Sequence, residues 1–200
     1  MRTIYSIFDL TLETHEVYQR FLDYLPMERK QRVYRYRNEM DKINCVMSYM
    51  LIVYGVYKTF GIVDPNIAAT KYGKLYLVDY PEIHFNISHC PKGCACVVSD
   101  YEVGVDIQDI RPISESVFKR CCSTAELQSL KESGEPAAEF TRIWTMKESY
   151  LKMKGTGITV DLPSIDTAKL RNKIETFRIN GCYVSVASAE SFQEEEICLI

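Results

Sequence analysis

Three side chains in this 200-residue chain have the types and spacing to do chemistry together: Asp106, Glu148 and Lys152. Glu148 and Lys152 belong to the run Trp144-Thr-Met-Lys-Glu-Ser-Tyr-Leu-Lys152, so on a helix they stand one turn apart and face the same way. Such a pair is usually a solvated ion pair worth a few tenths of a kcal/mol. Asp106 argues for more. It sits in the strand-like run Val103-Gly-Val-Asp-Ile-Gln108, which could meet that helix. A carboxylate on a strand, with a carboxylate and a lysine on a helix edge, are the parts of a site for magnesium and phosphate.

The elements that must position these groups can be read from periodicity. A helical pattern runs from Ala137 to a stop at Gly155, with Phe140, Ile143, Trp144, Met146, Tyr150, Leu151 and Met153 on one apolar arc. Lys147 falls inside that arc and is expected to be structural, pairing with a buried acid. In the strand run, alternation turns Val103, Val105 and Ile107 inward and leaves Gly104, Asp106 and Gln108 on the opposite face. Gly104 would then give a ligand room to approach the backbone. Phe85-Asn-Ile-Ser-His89 alternates too, with Asn86 and Ser88 sharing a face.

Elsewhere, Ile4 to Phe8 reads as a strand and Thr14 to Leu25 as a helix closed by Pro26. The basic run from Arg29 to Arg37 is either a solvated helix face or a wall for an anion. A core helix spans Glu39 to Phe60 and ends at Gly61, and Tyr72-Gly73-Lys74 is a turn into the apolar run Leu75 to Val78. A short helix pattern runs from Ser114 to Cys122, and Ser123-Thr-Ala-Glu126 is a capping box for the next helix. Asn180-Gly181 marks a hairpin. The pattern predicts an α+β chain of two similar halves, residues 1–100 and 101–200.

Composition bounds the partners. The chain is 46% hydrophobic, and its 24 Lys+Arg against 27 Asp+Glu give a net charge of -3, which disfavours nucleic acid as a ligand. The longest uncharged run, Ile43 to Tyr57, is too short to span a membrane, and no signal peptide is read at the N-terminus. Eight cysteines scattered through apolar patterns suit reduced thiols in a cytoplasm. His84, His89, Cys90, Cys94 and Cys96 could form a zinc knot or simply pack in the core. The spacing lacks the paired two-residue separation of common structural sites, and Cys94 and Cys96 alternate as in a strand.

Taken in order, Phe85-Asn-Ile-Ser-His89, Gly104-Val-Asp-Ile-Gln108 and Trp144 to Lys152, with Tyr72-Gly73-Lys74 upstream, resemble the motifs of the Sfp-type 4′-phosphopantetheinyl transferases. The resemblance covers most of the chain and fades after the lysine helix. It implies transfer of the 4′-phosphopantetheine arm of coenzyme A to a serine of an apo acyl or peptidyl carrier protein, with release of 3′,5′-ADP and dependence on magnesium. It also implies a monomer in the cytoplasm. By the same resemblance Asp106, Gln108 and Glu148 hold the metal, with Glu148 as base directly or through a magnesium-bound water. Lys152 neutralises the leaving phosphate, Ser88 and His89 bind coenzyme A phosphate, Gly73 and Lys74 lie around the adenine, and Arg29 and Arg32 meet the 3′-phosphate.

Two positions depart from the family pattern. Gln108 stands where a glutamate is usual, which offers magnesium an uncharged oxygen. Asn44 stands where the family often carries a basic residue. A rival reading keeps the fold and loses catalysis, leaving a protein that binds coenzyme A or a carrier. A zinc-stabilised interaction module is a third.

Overall fold

The computed structural model describes residues 2–8, 12–155, 160–190 and 196–199. The first strand, β1 (Arg2–Phe8), is followed by helices α1 (Leu12–Leu22), α2 (Met27–Arg35) and α3 (Glu39–Phe60). α1 stops short of the expected end, and Pro26 becomes the residue that caps α2, where its fixed φ of -55° and missing N–H cost nothing. α3 has the expected bounds. The Asn38 side chain accepts from Met40 N–H at its start, and Gly61 closes it at φ 72°.

Strands β2 (Ile67–Ala69) and β3 (Leu75–Leu77) form a small ribbon, and then come β4 (His84–Cys90) and β5 (Gly93–Ser99). The rest of the chain supplies β6 (Val103–Asp109), α4 (Glu115–Cys121), α5 (Thr124–Glu132), α6 (Pro136–Lys154), β7 (Ile174–Ile179), β8 (Cys182–Ser188) and β9 (Glu196–Leu199). One sheet runs β4-β5-β1-β9 and the other β6-β8-β7. β9 lies parallel on the outer side of β1. This last strand, from the C-terminal end of the chain, thus completes the first sheet.

Period-two alternation sorts the cores. In β1 and β5, Tyr5, Cys94, Cys96 and Val98 pack with α3, whereas Ile4, Ala95 and Val97 face the other way. That inner face meets Val103, Val105, Ile107, Val184 and Val186 of the second sheet. The outer side of the second sheet is covered by α6 through Met146 and Met153 against Ala187. The layers thus run α3, first sheet, second sheet, α6.

Gly104 accounts for the seating of α6. A Cβ there would lie 2.2 Å from the Ser149 carbonyl oxygen and 2.3 Å from Met153 N. The room the glycine leaves is taken by the helix backbone, not by a ligand as the sequence suggested. The remaining turn chemistry is as read. Ser123 and Glu126 form both bonds of the capping box, and Asn180 (φ 48°) with Gly181 (φ 71°) makes the hairpin turn.

Candidate active site

α6 brings Glu148 and Lys152 over β6. Lys152 Nζ lies 2.6 Å from Asp106 Oδ1 and donates to Ser88 Oγ at 2.8 Å, and Ser88 Oγ in turn donates to Asp106 Oδ1 at 2.8 Å. The ion pair that forms is between helix and strand. Asp106 is 6% exposed and the Lys152 side chain 29%, so the acid is shielded from solvent while the lysine stays open to the cavity.

Ser88 is held beside Asp106 because β4 and β6 are fixed to one another. Asn86 Oδ1 accepts from the Val105 backbone N–H at 3.0 Å, with Asn86 and Ser88 on the same face of β4. Asn86 was not among the expected site residues, although its place in the Phe85 to His89 motif and its shared face with Ser88 were both visible.

Glu148 has a buried carboxylate oxygen, Oε1, without a hydrogen-bond partner. Burial pushes its pKa up, the Asp106 charge adds to this, and Lys152 works against it. A carboxylate whose protonation is favoured by burial and by a neighbouring carboxylate, with one oxygen buried and unpaired, fits a hard divalent cation. Magnesium is commonly held by one or two carboxylates, with phosphate and water completing the shell. Among the described residues no group of three His, Cys, Asp or Glu side chains converges as a metal site. The carboxylates that border the cavity are Asp106 and Glu148.

Gln108 lines the same cavity, but its amide nitrogen donates to Asp109 Oδ1 at 2.7 Å. That bond ties the expected third ligand to its neighbour in sequence.

All ten expected site residues border one cavity of about 470 Å³. Its far wall is basic, with Arg29 and Arg32 one turn apart on α2. Arg29 stacks on the Tyr49 ring at 5.3 Å, and burial lowers its pKa. One buried guanidinium nitrogen, Nη2, has no acceptor. A half-buried cation with an unmet donor is suited to an anionic ligand. His89 borders the same space. Desolvation, with Lys152 and Arg32 nearby, holds its imidazole below the ordinary value of 6.5.

Two residues take contacts the sequence did not indicate, and the cysteines pack as read. Lys74 lines the cavity, but its Nζ donates to the Met153 carbonyl oxygen at 2.7 Å, so it caps α6 at the negative end of the helix. Asn44 is 2% exposed and donates to the Cys90 carbonyl oxygen at 3.4 Å, which makes it a tie between α3 and β4. The cysteines of the weighed zinc knot point apart. Cys90 joins the core between the sheets, and Cys94 and Cys96 join the core under α3, so one ion cannot reach them all.

Lys147 does pair with a buried acid. Its Nζ lies 2.6 Å from Glu126 Oε2 and also donates to the carbonyl oxygens of Cys121 and Leu162. Burial would raise the Glu126 pKa, but Lys147, Ser123 and Thr167 together hold it below the ordinary range. This pair fixes α6 to α5 from the side away from the cavity.

The sequence profile of the 4′-phosphopantetheinyl transferase superfamily matches residues 102–198. The 4′-phosphopantetheinyl transferase Sfp of Bacillus subtilis (strain 168) is 28% identical over 203 residues, spanning 98% of this chain and 91% of its own. The 4′-phosphopantetheinyl transferase gsp of Aneurinibacillus migulanus is 32% identical over 158 residues, 76% of this chain and 65% of its own. A yeast relative, the L-aminoadipate-semialdehyde dehydrogenase-phosphopantetheinyl transferase of Saccharomyces cerevisiae, is 27% identical over 157 residues, 71% of this chain and 57% of its own. The profile takes in both acids and the lysine of the cavity, and the similarity to Sfp extends over nearly the whole length, so the chain belongs to the 4′-phosphopantetheinyl transferase superfamily.

Proposed function

We propose that this chain transfers the 4′-phosphopantetheine arm of coenzyme A to a serine of an apo acyl or peptidyl carrier protein, releasing 3′,5′-ADP. The observation that carries the reading is the buried polar cluster of Asp106, Lys152 and Ser88, with the unpaired Glu148 oxygen beside it, facing a basic wall across one cavity. A pyrophosphate needs both features: positive charge along its length and an acceptor for the attacking proton.

The carrier serine oxygen attacks the phosphorus that bears the pantetheine arm, and the bond from that phosphorus to the bridging oxygen breaks. The electron pair leaves with 3′,5′-ADP. Glu148, its basicity raised by burial and by Asp106, takes the serine proton. Lys152 offsets charge on the departing phosphate. Arg29 and Arg32 bind the 3′-phosphate end, and His89 takes a further phosphate oxygen. Gly73 and Lys74 border the space left for the adenine. Asp106 and Glu148 would hold a magnesium ion, which would supply positive charge against the pyrophosphate, and Gln108, its amide nitrogen bonded to Asp109, would offer its amide oxygen.

The order strand, helices, long helix, hairpin occurs twice, as β1 to β5 and as β6 to β8, with sheet orders β4-β5-β1 and β7-β8-β6. This repetition supports two pseudo-symmetric halves with the cavity between them, and the monomer follows from the family resemblance alone. Among the described residues no helix is long and apolar enough to cross a membrane, and a cytoplasmic location is inferred from the cysteine usage.

The test is incubation with coenzyme A, magnesium chloride and a panel of apo acyl and peptidyl carriers, read by intact mass. A magnesium-dependent gain of one phosphopantetheine on a carrier, with 3′,5′-ADP released, is expected. Carrier binding without mass gain on any carrier would favour the binding protein instead.

A further inference from the structure

Away from the cavity, the sulfur atoms of Cys90 and Cys182 lie 3.9 Å apart. They are 92 positions apart in sequence and belong to different sheets, Cys90 ending β4 and Cys182 opening β8. Both are buried, at 3% and 0% exposure. Yet each sits one residue inside a surface hairpin turn, 91–92 for one and 180–181 for the other. The two turns are neighbours, since a Cβ on Gly181 would lie 3.1 Å from Lys92 Nζ.

Buried thiols are often just small apolar side chains, and that account suffices for Cys94 and Cys96 beneath α3. It leaves unexplained why two thiols from separate sheets face one another under adjoining turns. A disulfide needs its sulfurs at about 2.05 Å, so closure requires an approach of roughly 2 Å. Rotation of two side chains and a small movement of the turns can supply that.

We propose that Cys90 and Cys182 are a redox-modification site, closing under a small peroxide oxidant into a reversible disulfide between the two sheets. The Cys90 thiolate attacks a peroxide oxygen to give a sulfenic acid, and the other oxygen leaves as hydroxide and becomes water. The Cys182 sulfur then attacks the Cys90 sulfur, and the sulfenic oxygen departs as a second water. Two thiols lose two electrons and two protons, and one hydrogen peroxide becomes two waters. The order of attack follows from the hydrogen bond between the sulfurs, which lowers the Cys90 pKa and raises that of Cys182. Small oxidants suit the burial, and in a reducing cytoplasm the pair rests as thiols.

The position gives the bond a structural effect. Cys90 directly follows His89, and Cys182 is the ladder partner of Asp109, next to Gln108. The disulfide therefore locks the site-bearing end of β4 to the sheet that carries Asp106.

The test uses the full reduced chain treated with a stoichiometric amount of hydrogen peroxide and mapped as peptides without reduction. The expected product is lighter by two hydrogens, carries a Cys90–Cys182 cross-linked peptide, and reverts with dithiothreitol. Its melting temperature rises by roughly 5–10 °C, as for a cross-link closing a loop of this length in a chain of this size. Cys182→Ser and Cys182→Ala, either of which serves if the other folds poorly, should show neither cross-link nor shift. Oxygen addition in place of the cross-link, bridging of other cysteines, or a cross-link with no thermal shift would each overturn the proposal. None of these readouts depends on transfer to a carrier, so the inference can fail while the proposed function stands.

Discussion

Asp106 joins Ser88 and Lys152 in one buried cluster, and its charge raises the pKa of Glu148. Removing it takes away both the partner of Lys152 and one of two carboxylates. Asp106→Ala should stay folded and lower turnover by about 10²–10³ or more. Gln108→Glu tests the weaker end of the same set. A carboxylate cannot donate to Asp109 as the amide does, and repulsion from Asp109 would turn it into the cavity. The magnesium concentration for half-maximal transfer should fall several-fold in that variant. An unmoved magnesium titration would mean the side chain at 108 does not reach the ion. His89 gives a pH signature. Its pKa is depressed in the free protein, chiefly by desolvation, and a bound phosphate would raise it. Coenzyme A binding should then take up a proton, and affinity should rise as pH falls from about 7.5 to about 6. Calorimetry in buffers of different ionisation enthalpy measures the uptake, and His89→Gln should lose that part of it.

At the scale of elements, the site depends on how α6 lies on β6. Gly104→Ala would drive a methyl group into the Ser149 carbonyl and the Met153 N–H, both backbone, so the helix itself must move. The expected cost is about 1–3 kcal/mol of stability, with a drop in turnover because Glu148 and Lys152 ride on the same helix. Denaturant unfolding and turnover, measured on one preparation, check both. The opposite side of α6 is anchored by Lys147 and Glu126, with side chains 1% and 7% exposed. Lys147→Met leaves a buried carboxylate without its cation and should cost about 3–5 kcal/mol. The double variant Lys147→Met/Glu126→Leu should be less destabilised than the sum of the two single changes, because no lone charge remains. Additive losses in denaturant unfolding would show that the two side chains act separately.

Across the whole molecule, the cavity exists because two sheets are held in one register. The shared apolar core brings the inner faces together without specifying a direction of slide. Directional bonds do that, among them Asn86 to the Val105 N–H and Lys74 to the Met153 carbonyl. Asn86→Ala leaves a buried backbone donor unpaired and should cost about 1–3 kcal/mol. Turnover should fall further than coenzyme A affinity, since Ser88 would lose its alignment with Asp106. Asn86→Asp keeps the acceptor oxygen and should recover most of the turnover. Equal loss in both variants would assign Asn86 a packing role only.

The sequence by itself determined the local elements and the candidate site residues. Asn38 and Gly61, Ser123 and Glu126, Gly155, and Asn180 with Gly181 set their ends by caps and turns that act within a few residues. The alternation of β6 likewise put Asp106 on the face opposite Val105, and the motifs with the basic run singled out ten of the residues that border the cavity. What tertiary structure alone decided is which neighbour each polar group uses. Lys152 pairs with Asp106, Lys74 caps α6, Gln108 turns to Asp109, and Gly104 admits a helix in place of a ligand. β9 beside β1 and the facing thiols of Cys90 and Cys182 belong to the same class. Periodicity fixes the face a side chain occupies, because that follows from local backbone geometry. It carries no information on which distant atoms will lie within 3 Å of that face, which depends on how whole sheets and helices pack.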